Sequence, residues 1–277
     1  MAETAFGTIG KDAIEPELQS LRQSRLLFPA ISFEKWTIAS KTDKYVSGRR
    51  SNVQSRSRVQ PAMSKSAPTT IAIVSQKGGS GKTTLAVHLG TRAAQSKHES
   101  CIIDLDPQAT AAAWSDWRGD FLPVVVTAPP ARLSRTIESA KKNGVDFIVI
   151  DTPPHADAAA REAIKAADIV LIPTKPRAFD LAALEPIADL VGFAKTPAFV
   201  VLNAVPSGAT VLAEEARKVA GGMGLEVCPV EIGDRAAFHR SSAKGETAAE
   251  IDPSGKAAEE IEALWKWLKK TLKKQKK

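Results

Sequence analysis

The stretch 71–87 reads IAIVSQKGGSGKTTLAV and places a glycine-rich loop between an apolar run and a helical segment. Three glycines in the loop let several backbone N–H groups point at one anion, and the positive end of the following helix points to the same place. The stretch nearly matches the phosphate-binding pattern G-x-x-x-x-G-K-[ST], with Gln76 where the first glycine is expected and Lys77 as an additional lysine. The sequence therefore predicts a strand, a phosphate-binding loop and a helix in direct succession.

Short apolar runs alternate with longer alanine-rich segments from residue 69 onward. The runs are continuously apolar and rich in β-branched residues, as are the strands of a parallel sheet that is covered on both faces. We therefore expect a doubly wound α/β fold with a mostly parallel sheet, helices on both faces and a ligand site at the carboxyl ends of the strands. The predicted strands are 70–75, 101–106, 123–127, 146–151, 168–174, 198–204 and 225–232, and the predicted helices include 82–95, 131–142, 156–167 and 209–220.

The two ends of the chain differ from its middle in charge. Residues 266–277 hold seven lysines and no acid, and residues 1–68 carry a net charge of +5. Because the whole chain carries +7, residues 69–265 are left with −5. We interpret 1–68 as a disordered or weakly structured basic arm, with a possible short helix at 17–28 and with Met63 as a candidate start. Residues 69–265 are then the folded domain, and 266–277 form a lysine-rich tail.

Several residue types favour an ordinary packing role. Cys101 and Cys228 are too few and too far apart for a disulfide framework or a C-x-x-C site, so we expect two buried thiols. We also expect His88, Trp114 and Trp117 to be packing residues. No apolar run reaches the roughly 18 residues that span a bilayer, and the first residues lack the pattern of a signal peptide. These features predict a cytoplasmic location.

Acidic side chains follow two of the predicted strands. Asp151, at the end of FIVID, stands where phosphate-loop enzymes place an acid that holds Mg²⁺ through a water. Asp104 and Asp106, in IIDLDPQ, point to the same face of their strand, where their charges repel unless Mg²⁺ or a reacting water lies between them. The alternative is a helix N-cap acid beside an exposed one, but we favour the functional interpretation because conflict with local rules marks functional sites. Within the loop, Lys82 is expected to contact the β- and γ-phosphates, and the Thr83 hydroxyl is expected to bind Mg²⁺.

The motifs KGGSGKTT, DLDPQ and IDTPP, in this order and at this spacing, resemble those of the ParA family of deviant-Walker ATPases, which partition plasmids and chromosomes. The segment 234–264, with an arginine and a G-x-T sequence before the last helix, is also similar to the closing segment of that family. The resemblance covers about residues 69–268. It implies a slow, Mg²⁺-dependent ATPase that forms a homodimer on ATP and binds DNA without sequence preference, associated with the nucleoid. A ParB-like centromere-binding protein would stimulate hydrolysis and release the dimer from DNA.

The resemblance also implies roles for single residues. Lys77 matches a lysine that crosses the dimer interface to the phosphates of the facing subunit, and Asp106 matches the acid that positions the attacking water. Asp104 and Asp151 match the magnesium-side acids, together with Thr83. The predicted catalytic residues are Lys77, Lys82 and Asp106. The predicted ATP contacts are Lys77, Gly78, Gly79, Ser80, Gly81, Lys82, Thr83, Thr84 and, for the adenine base, Asn203. The predicted DNA contacts are Arg235, Lys269, Lys270 and Lys273.

Other functions remain open on the same motifs. A MinD-like regulator at the membrane surface is one, since a lysine-rich amphipathic helix can lie on anionic lipid. The form DLDPQ and the thin apolar stripe of the last helix count against it, so a membrane is not expected as a partner. An iron–sulfur carrier would need thiolate pairs, which the sequence lacks. A ParA-like positioner of another cargo, such as a chemoreceptor cluster or a carboxysome, is compatible with all of the motifs.

Overall fold

The structure is a computed structural model, and it describes residues 67–119, 121–155 and 157–275. The predicted arm lies outside these residues apart from its last two positions, as do the helix predicted at 17–28 and the candidate start at Met63. Within the described part of the chain, no helix is long and apolar enough to cross a membrane.

A seven-stranded sheet forms the centre of the fold, in the order β3-β2-β4-β1-β5-β6-β7, and neighbouring strands pair in parallel. This confirms the predicted doubly wound fold, with β1 between β4 and β5. The strands are β1 Thr69–Ile73, β2 Ser100–Asp104, β3 Val124–Thr127, β4 Phe147–Asp151, β5 Ile169–Thr174, β6 Ala198–Leu202 and β7 Glu226–Val227. The helices are α1 Lys82–Gln95, α2 Thr110–Arg118, α3 Leu133–Lys142, α4 Asp157–Ala166, α5 Ala178–Ala182, α6 Glu185–Ala194, α7 Thr210–Gly222, α8 Ala236–Ser242, α9 Ala248–Ile251 and α10 Lys256–Gln275.

Two apolar cores lie on opposite faces of the sheet, because successive side chains of a strand point in opposite directions. In β1, Ala72 packs in one core, whereas Ile71 and Ile73 pack in the other. Helices α3, α4, α6 and α7 cover the first face, and α1, α2, α8 and α10 cover the second. The strands are therefore apolar throughout, as the sequence predicts for a sheet covered on both faces.

The last predicted strand, 225–232, is wrong in length. Only Glu226–Val227 pairs as β7. Cys228 still donates its N–H to the Val200 carbonyl at 2.8 Å, but Pro229 has no N–H for a ladder hydrogen bond, and the Val230 N–H points at the Cys228 sulfur at 3.4 Å. The backbone meets the sheet edge again at Ile232, whose N–H donates to the Leu202 carbonyl at 2.9 Å and whose carbonyl accepts the Val205 N–H at 3.0 Å.

The packing predictions hold with one exception. Both cysteine side chains are buried, His88 is 1% exposed and Trp114 is 3% exposed. Trp117 was expected to pack in the same way, but it is 63% exposed. Ala111 and Trp114 are the buried residues of α2, the nine-residue helix that carries Trp117, so only one side of it faces the core.

Residues 266–275 of the lysine-rich segment belong to a helix that docks on the sheet. Helix α10 runs from Lys256 to Gln275 without a break, so the boundary placed after residue 265 falls inside it. Leu264, Leu268 and Leu272 recur every four residues and are buried against the sheet, which gives the helix one apolar face. The described lysines of this segment are exposed: Lys266, Lys269, Lys270, Lys273 and Lys274.

We expect Leu268→Ala to lower the free energy of unfolding by about 2–5 kcal/mol, because it leaves a cavity in a packed core. Lys270→Ala is the matched control on the exposed face of the same helix and should change it by no more than about 0.5 kcal/mol. Urea unfolding followed by circular dichroism measures both. Equal effects of the two variants would show that this half of α10 is not part of the cooperative fold.

Candidate nucleotide-binding site

The glycine-rich loop connects the end of β1 to the start of α1 at the carboxyl edge of the sheet. Gly81 adopts a left-handed conformation with φ 98° and caps α1. A Cβ atom at this position would collide with the Nδ2 atom of Asn203. Glycine is therefore required here both for its backbone conformation and for the close approach of the end of β6.

Two lysines of the loop have different environments. Lys82 is 7% exposed, and its ammonium group donates a 3.0 Å hydrogen bond to the Lys77 carbonyl. Burial lowers the pKa of Lys82, and the charges of Asp151 and Asp106 oppose that shift. The side chain of Lys77 is half-buried, and among the described residues no hydrogen bond or ion pair holds its ammonium group. Lys82 is thus fixed within the loop, whereas Lys77 is available for a further anion.

Asp151 lies at the carboxyl end of β4, beside the first turn of α1. The Thr83 hydroxyl donates a 2.7 Å hydrogen bond to Asp151 Oδ2, and Asp151 Oδ1 is buried without a partner among the described residues. Burial raises the pKa of this carboxyl group to about 7; the Thr83 hydrogen bond opposes the shift and the neighbouring Asp104 adds to it. An unpartnered carboxylate oxygen beside a hydroxyl is a set of hard oxygen donors that suits Mg²⁺. Thr83 and Asp151 therefore fit the predicted magnesium site, the acid directly or through a water.

Asp104 pairs in register with Asp151 on the neighbouring strand, so the two acids lie side by side. Its Oδ1 accepts the N–H of Asp106 at 2.9 Å, and its Oδ2 accepts the N–H groups of Ala111 and Ala112 at 3.0 and 3.3 Å. The carboxylate thereby satisfies two N–H groups in the first turn of α2, which corresponds to the alternative interpretation of Asp104 as a capping acid. Its predicted magnesium-side role stays a prediction, and α2 depends on it in either case.

Asp106 follows β2 in the loop before α2, and its side chain is partly exposed. Its Oδ1 accepts the N–H of Gln108 at 2.9 Å, which holds the carboxylate in a tight local turn. Its negative charge acts on both Lys82 and Asp151, so it lies within electrostatic reach of the loop. Its role in positioning a water stays a prediction.

Asn203 and Arg235, predicted for adenine and for DNA, each have a partner within the fold. The Asn203 amide donates a 2.6 Å hydrogen bond to the Ser80 carbonyl and so supports the loop from below. The Arg235 guanidinium forms an ion pair with Glu260 on α10, with Nη2 and Oε1 2.7 Å apart. Both predicted contacts would therefore require these side chains to exchange or share their present partners.

Gln76, the residue in place of the first glycine, has a structural role that its sequence position does not predict. Its Nε2 donates a 2.6 Å hydrogen bond to Asp157 at the start of α4, and its carbonyl accepts the N–H of His155 at 3.2 Å. The side chain thus ties the nucleotide loop to the segment after Asp151. A pair 81 residues apart leaves no signal in local spacing.

His88 joins α1 to the closing segment. The Ala248 N–H donates to His88 Nε2 at 3.0 Å, so Nδ1 carries the proton and donates to the Thr84 carbonyl at 2.7 Å. Burial lowers the pKa of the imidazole to about 4, which keeps it neutral in this role. The first turn of the nucleotide helix and the start of α9 are therefore linked through a single side chain.

The G-x-T sequence before α9 has a structural explanation. Gly245 has φ 67°, and a Cβ atom there would collide with the backbone of α2 at Arg118. Thr247 and Glu250 form a capping box at the start of α9. The same Glu250 accepts two hydrogen bonds from the Arg118 guanidinium at 2.7 and 2.9 Å. The motif thus fixes the end of α2 to the closing segment.

The profile of the CobQ/CobB/MinD/ParA nucleotide binding domain matches residues 71–248, which include both acid motifs and the loop. The chain belongs to this family. Among curated relatives, the carboxysome distribution protein A of Gloeobacter kilaueensis is 34% identical over 203 residues, which cover 72% of this chain and 92% of the relative. The sporulation initiation inhibitor protein Soj of Bacillus subtilis is 28% identical over 162 residues, which cover 44% of this chain and 64% of that protein.

Solved structures of the MinD/ParA family share the fold. A Cyanothece McdA variant in complex with ATP superposes with a TM-score of 0.60 at 18% identity, covering 73% of this chain and 97% of that chain. The septum site-determining protein MinD of Pyrococcus horikoshii, in complex with Mg-ADP, also gives a TM-score of 0.60, at 20% identity and with 75% and 98% covered. The predicted resemblance and fold are confirmed, and the predicted cofactors, ATP and Mg²⁺, match what these MinD/ParA structures hold.

We expect the stability of this MinD/ParA domain to fall as the pH drops from about 6.5 to about 4, in part because of His88. In that window the unfolded state binds a proton on the imidazole and the folded state does not, so protonation favours unfolding. The full contribution is about 3 kcal/mol for a shift of this size. Chemical unfolding as a function of pH should show this component in the wild type and not in His88→Gln.

The exposed residue His239 supplies the control, since His239→Gln should leave the pH dependence unchanged. A His88→Gln variant with the same pH dependence as the wild type would contradict the assignment.

Proposed function

We propose that the chain is an ATP-switched positioning ATPase that distributes a protein cargo along DNA in the cytoplasm. In this proposal ATP and Mg²⁺ bind at the glycine-rich loop, two copies dimerise on ATP, and the dimer holds DNA without sequence preference, at the nucleoid. A cargo-bound adaptor protein stimulates slow hydrolysis to ADP and phosphate, which releases the dimer. Directed movement then comes from repeated binding and release.

The observation that carries the ATP switch is the pair of lysines in the loop. Lys82 is buried and bonded within the loop, so it can serve the phosphates of its own subunit. Lys77 stands five residues earlier, and its ammonium group has no hydrogen-bond or ion-pair partner among the described residues. A second cation beside the first costs repulsion unless an anion arrives between them. Lys77 therefore suits the phosphates of a facing subunit, where it would stabilise charge on the transferred phosphoryl group.

The comparisons favour a protein cargo over plasmid or chromosome partition. The relative named for carboxysome distribution is aligned over 72% of this chain, and a second one, from Halothiobacillus neapolitanus, over 70%. The relative named Soj is aligned over 44%. The alternative predicted from the sequence, a positioner of another cargo, is therefore preferred to the main prediction. An adaptor on that cargo replaces the ParB-like protein as the proposed partner.

DNA is the proposed track because of the exposed face of α10. Lys269, Lys270 and Lys273 lie there, and all three are exposed. Regularly spaced lysines bind the phosphate backbone without reading the bases. The apolar face of α10 is buried in the core, so it does not supply the inserted face with which an amphipathic helix binds lipid.

Lys77→Gln is expected to bind ATP as a monomer and to fail to dimerise, because the charge that crosses to the facing nucleotide is gone. Light scattering with a slowly hydrolysed ATP analogue measures the mass, and a fluorescent ATP analogue measures binding. Asp106→Ala is the matched control at the same site: it should dimerise normally and lose about 100-fold or more of the hydrolysis rate. Lys82→Ala should lose nucleotide binding itself. A full ATP-dependent dimer of Lys77→Gln would overturn the proposed switch.

Deletion of the gene in the native host separates the two cargo classes. If the cargo is a protein assembly, we expect its copies, which are spaced through the wild-type cell, to gather into a few clusters in the deletion strain. Plasmids should be inherited as before. Fluorescence microscopy of the assembly and a plasmid-loss assay provide the two measurements. Plasmid loss with normally spaced assemblies would support partition instead.

A further inference from the structure

A basic groove lies between the end of α1 and the second half of α10, with a volume of about 420 Å³. Four lysines of α10 recur at helical spacing along one side, and α1 contributes an arginine on the other. Among the described residues that line it, the cations are Arg92, Lys266, Lys269, Lys270 and Lys273, and the acid is Glu262.

The groove lies on the opposite edge of the sheet from the nucleotide loop. Arg92 follows Lys82 by ten residues of α1, which is about 15 Å along the helix axis. Trp265, which lines the groove, contacts Phe147 at the amino end of β4 with ring centroids 5.2 Å apart. The nucleotide loop follows the carboxyl end of β1. A ligand in the groove would therefore leave the nucleotide edge free for a facing subunit.

Glu262 neutralises part of this positive charge. Its Oε2 lies 2.5 Å from Arg92 Nε, and its Oε1 lies 3.4 Å from Lys266 Nζ. The hydrogen bond from Arg92 lowers the pKa of the Glu262 carboxyl group, so it stays ionised at neutral pH. Trp265 lies against two cations of the groove: the Arg92 guanidinium and the Lys269 ammonium are 5.9 and 5.7 Å from its ring centroid. The groove is thus an ordered array of cations with a carboxylate placed between two of them.

We propose that this groove binds the phosphate backbone of nucleic acid and that Glu262 acts as a built-in counter-ion, which competes with the backbone phosphates for Arg92 and Lys266. The inference rests on the DNA binding of the proposed function and assigns that binding to the residues that line this groove. A phosphodiester is a permanent anion, and a guanidinium matches two of its oxygens at once, so it can take the place of the carboxylate at Arg92. Glu262 also repels incoming phosphates, so it weakens binding and limits how firmly the protein is held.

A nucleic acid fits this groove better than an anionic membrane. Lys266, Lys269, Lys270 and Lys273 span about 10 Å along α10, a length that on duplex DNA carries about six phosphate charges. The apolar residues Leu268 and Leu272 point into the core, so this helix has no apolar stripe to bury in lipid.

The test compares Glu262→Gln with Glu259→Gln in the full chain. Glu259 lies on the same helix outside the groove, its side chain is exposed, and its replacement changes the net charge by the same amount. A random-sequence 40-base-pair duplex is titrated with each protein and a slowly hydrolysed ATP analogue, between 50 and 200 mM salt. Each additional phosphate contact adds about −0.9 to the log–log slope, so the affinity lost over this range should grow about three- to fourfold per contact. Relative to the wild type, we expect the slope of Glu262→Gln to correspond to one to two additional phosphate contacts. The slope of Glu259→Gln should differ by less than half a contact.

Arg92→Gln combined with Glu262→Gln should remove most of that gain, because the freed guanidinium is its source. Equal slopes for Glu262→Gln and Glu259→Gln would overturn the inference and leave the proposed function standing. Absence of DNA binding by the wild type and both variants, with ATP-dependent dimerisation intact, would overturn the DNA track itself. Phosphatidylglycerol vesicles test the membrane alternative. If Glu262→Gln bound these vesicles more tightly than Glu259→Gln did, and no variant bound the duplex, the groove would be a lipid site and the inference would be wrong.

Discussion

Two buried carboxylates at the ends of neighbouring strands set the conditions for everything around the nucleotide loop. Asp104 and Asp151 are paired in register, and each is 1% exposed, so their mutual repulsion is poorly screened by water. Asp104 is balanced by three backbone N–H groups, and Asp151 by the Thr83 hydroxyl and the charge of Lys82. One oxygen of Asp151 remains without a partner among the described residues. Asp104 therefore holds the start of α2, and Asp151 favours a bound cation beside the nucleotide loop.

The separation of surfaces follows from the parallel sheet. The nucleotide loop and the acids lie at the carboxyl edge, whereas the groove of Arg92 and the lysines of α10 lies at the amino edge. Helix α1 begins at the first and ends at the second, and it also packs against α10. The proposed function, a dimer that forms through its nucleotide and holds DNA at another surface, needs such a division, because neither partner then blocks the other.

Local patterns predicted the fold and the loop, and they failed where distant residues meet. The apolar runs located β1 to β6 to within two residues, and α1 was predicted at its observed bounds, because strand and helix periods and the glycine loop are local signals. Leu268 and Leu272 are spaced four residues apart, which gave the last helix an apolar stripe in the sequence, and both are buried in the structure. Asn203 could not be placed by spacing, since its hydrogen bond to Ser80 spans 123 residues. The links of His88 and Arg118 to the closing segment were invisible for the same reason.

The contacts around α2 form a closed circuit. Thr83 bonds to Asp151, which lies beside Asp104, and Asp104 holds the start of α2. At the other end of α2, Arg118 bonds to Glu250 in the closing segment. His88 then leads from that segment back to Thr84, next to Thr83. The two ends of α2 are thus connected to each other through the nucleotide loop as well as through the helix itself. Residues along such a circuit share partners, so the energetic effects of two substitutions in it are not expected to add.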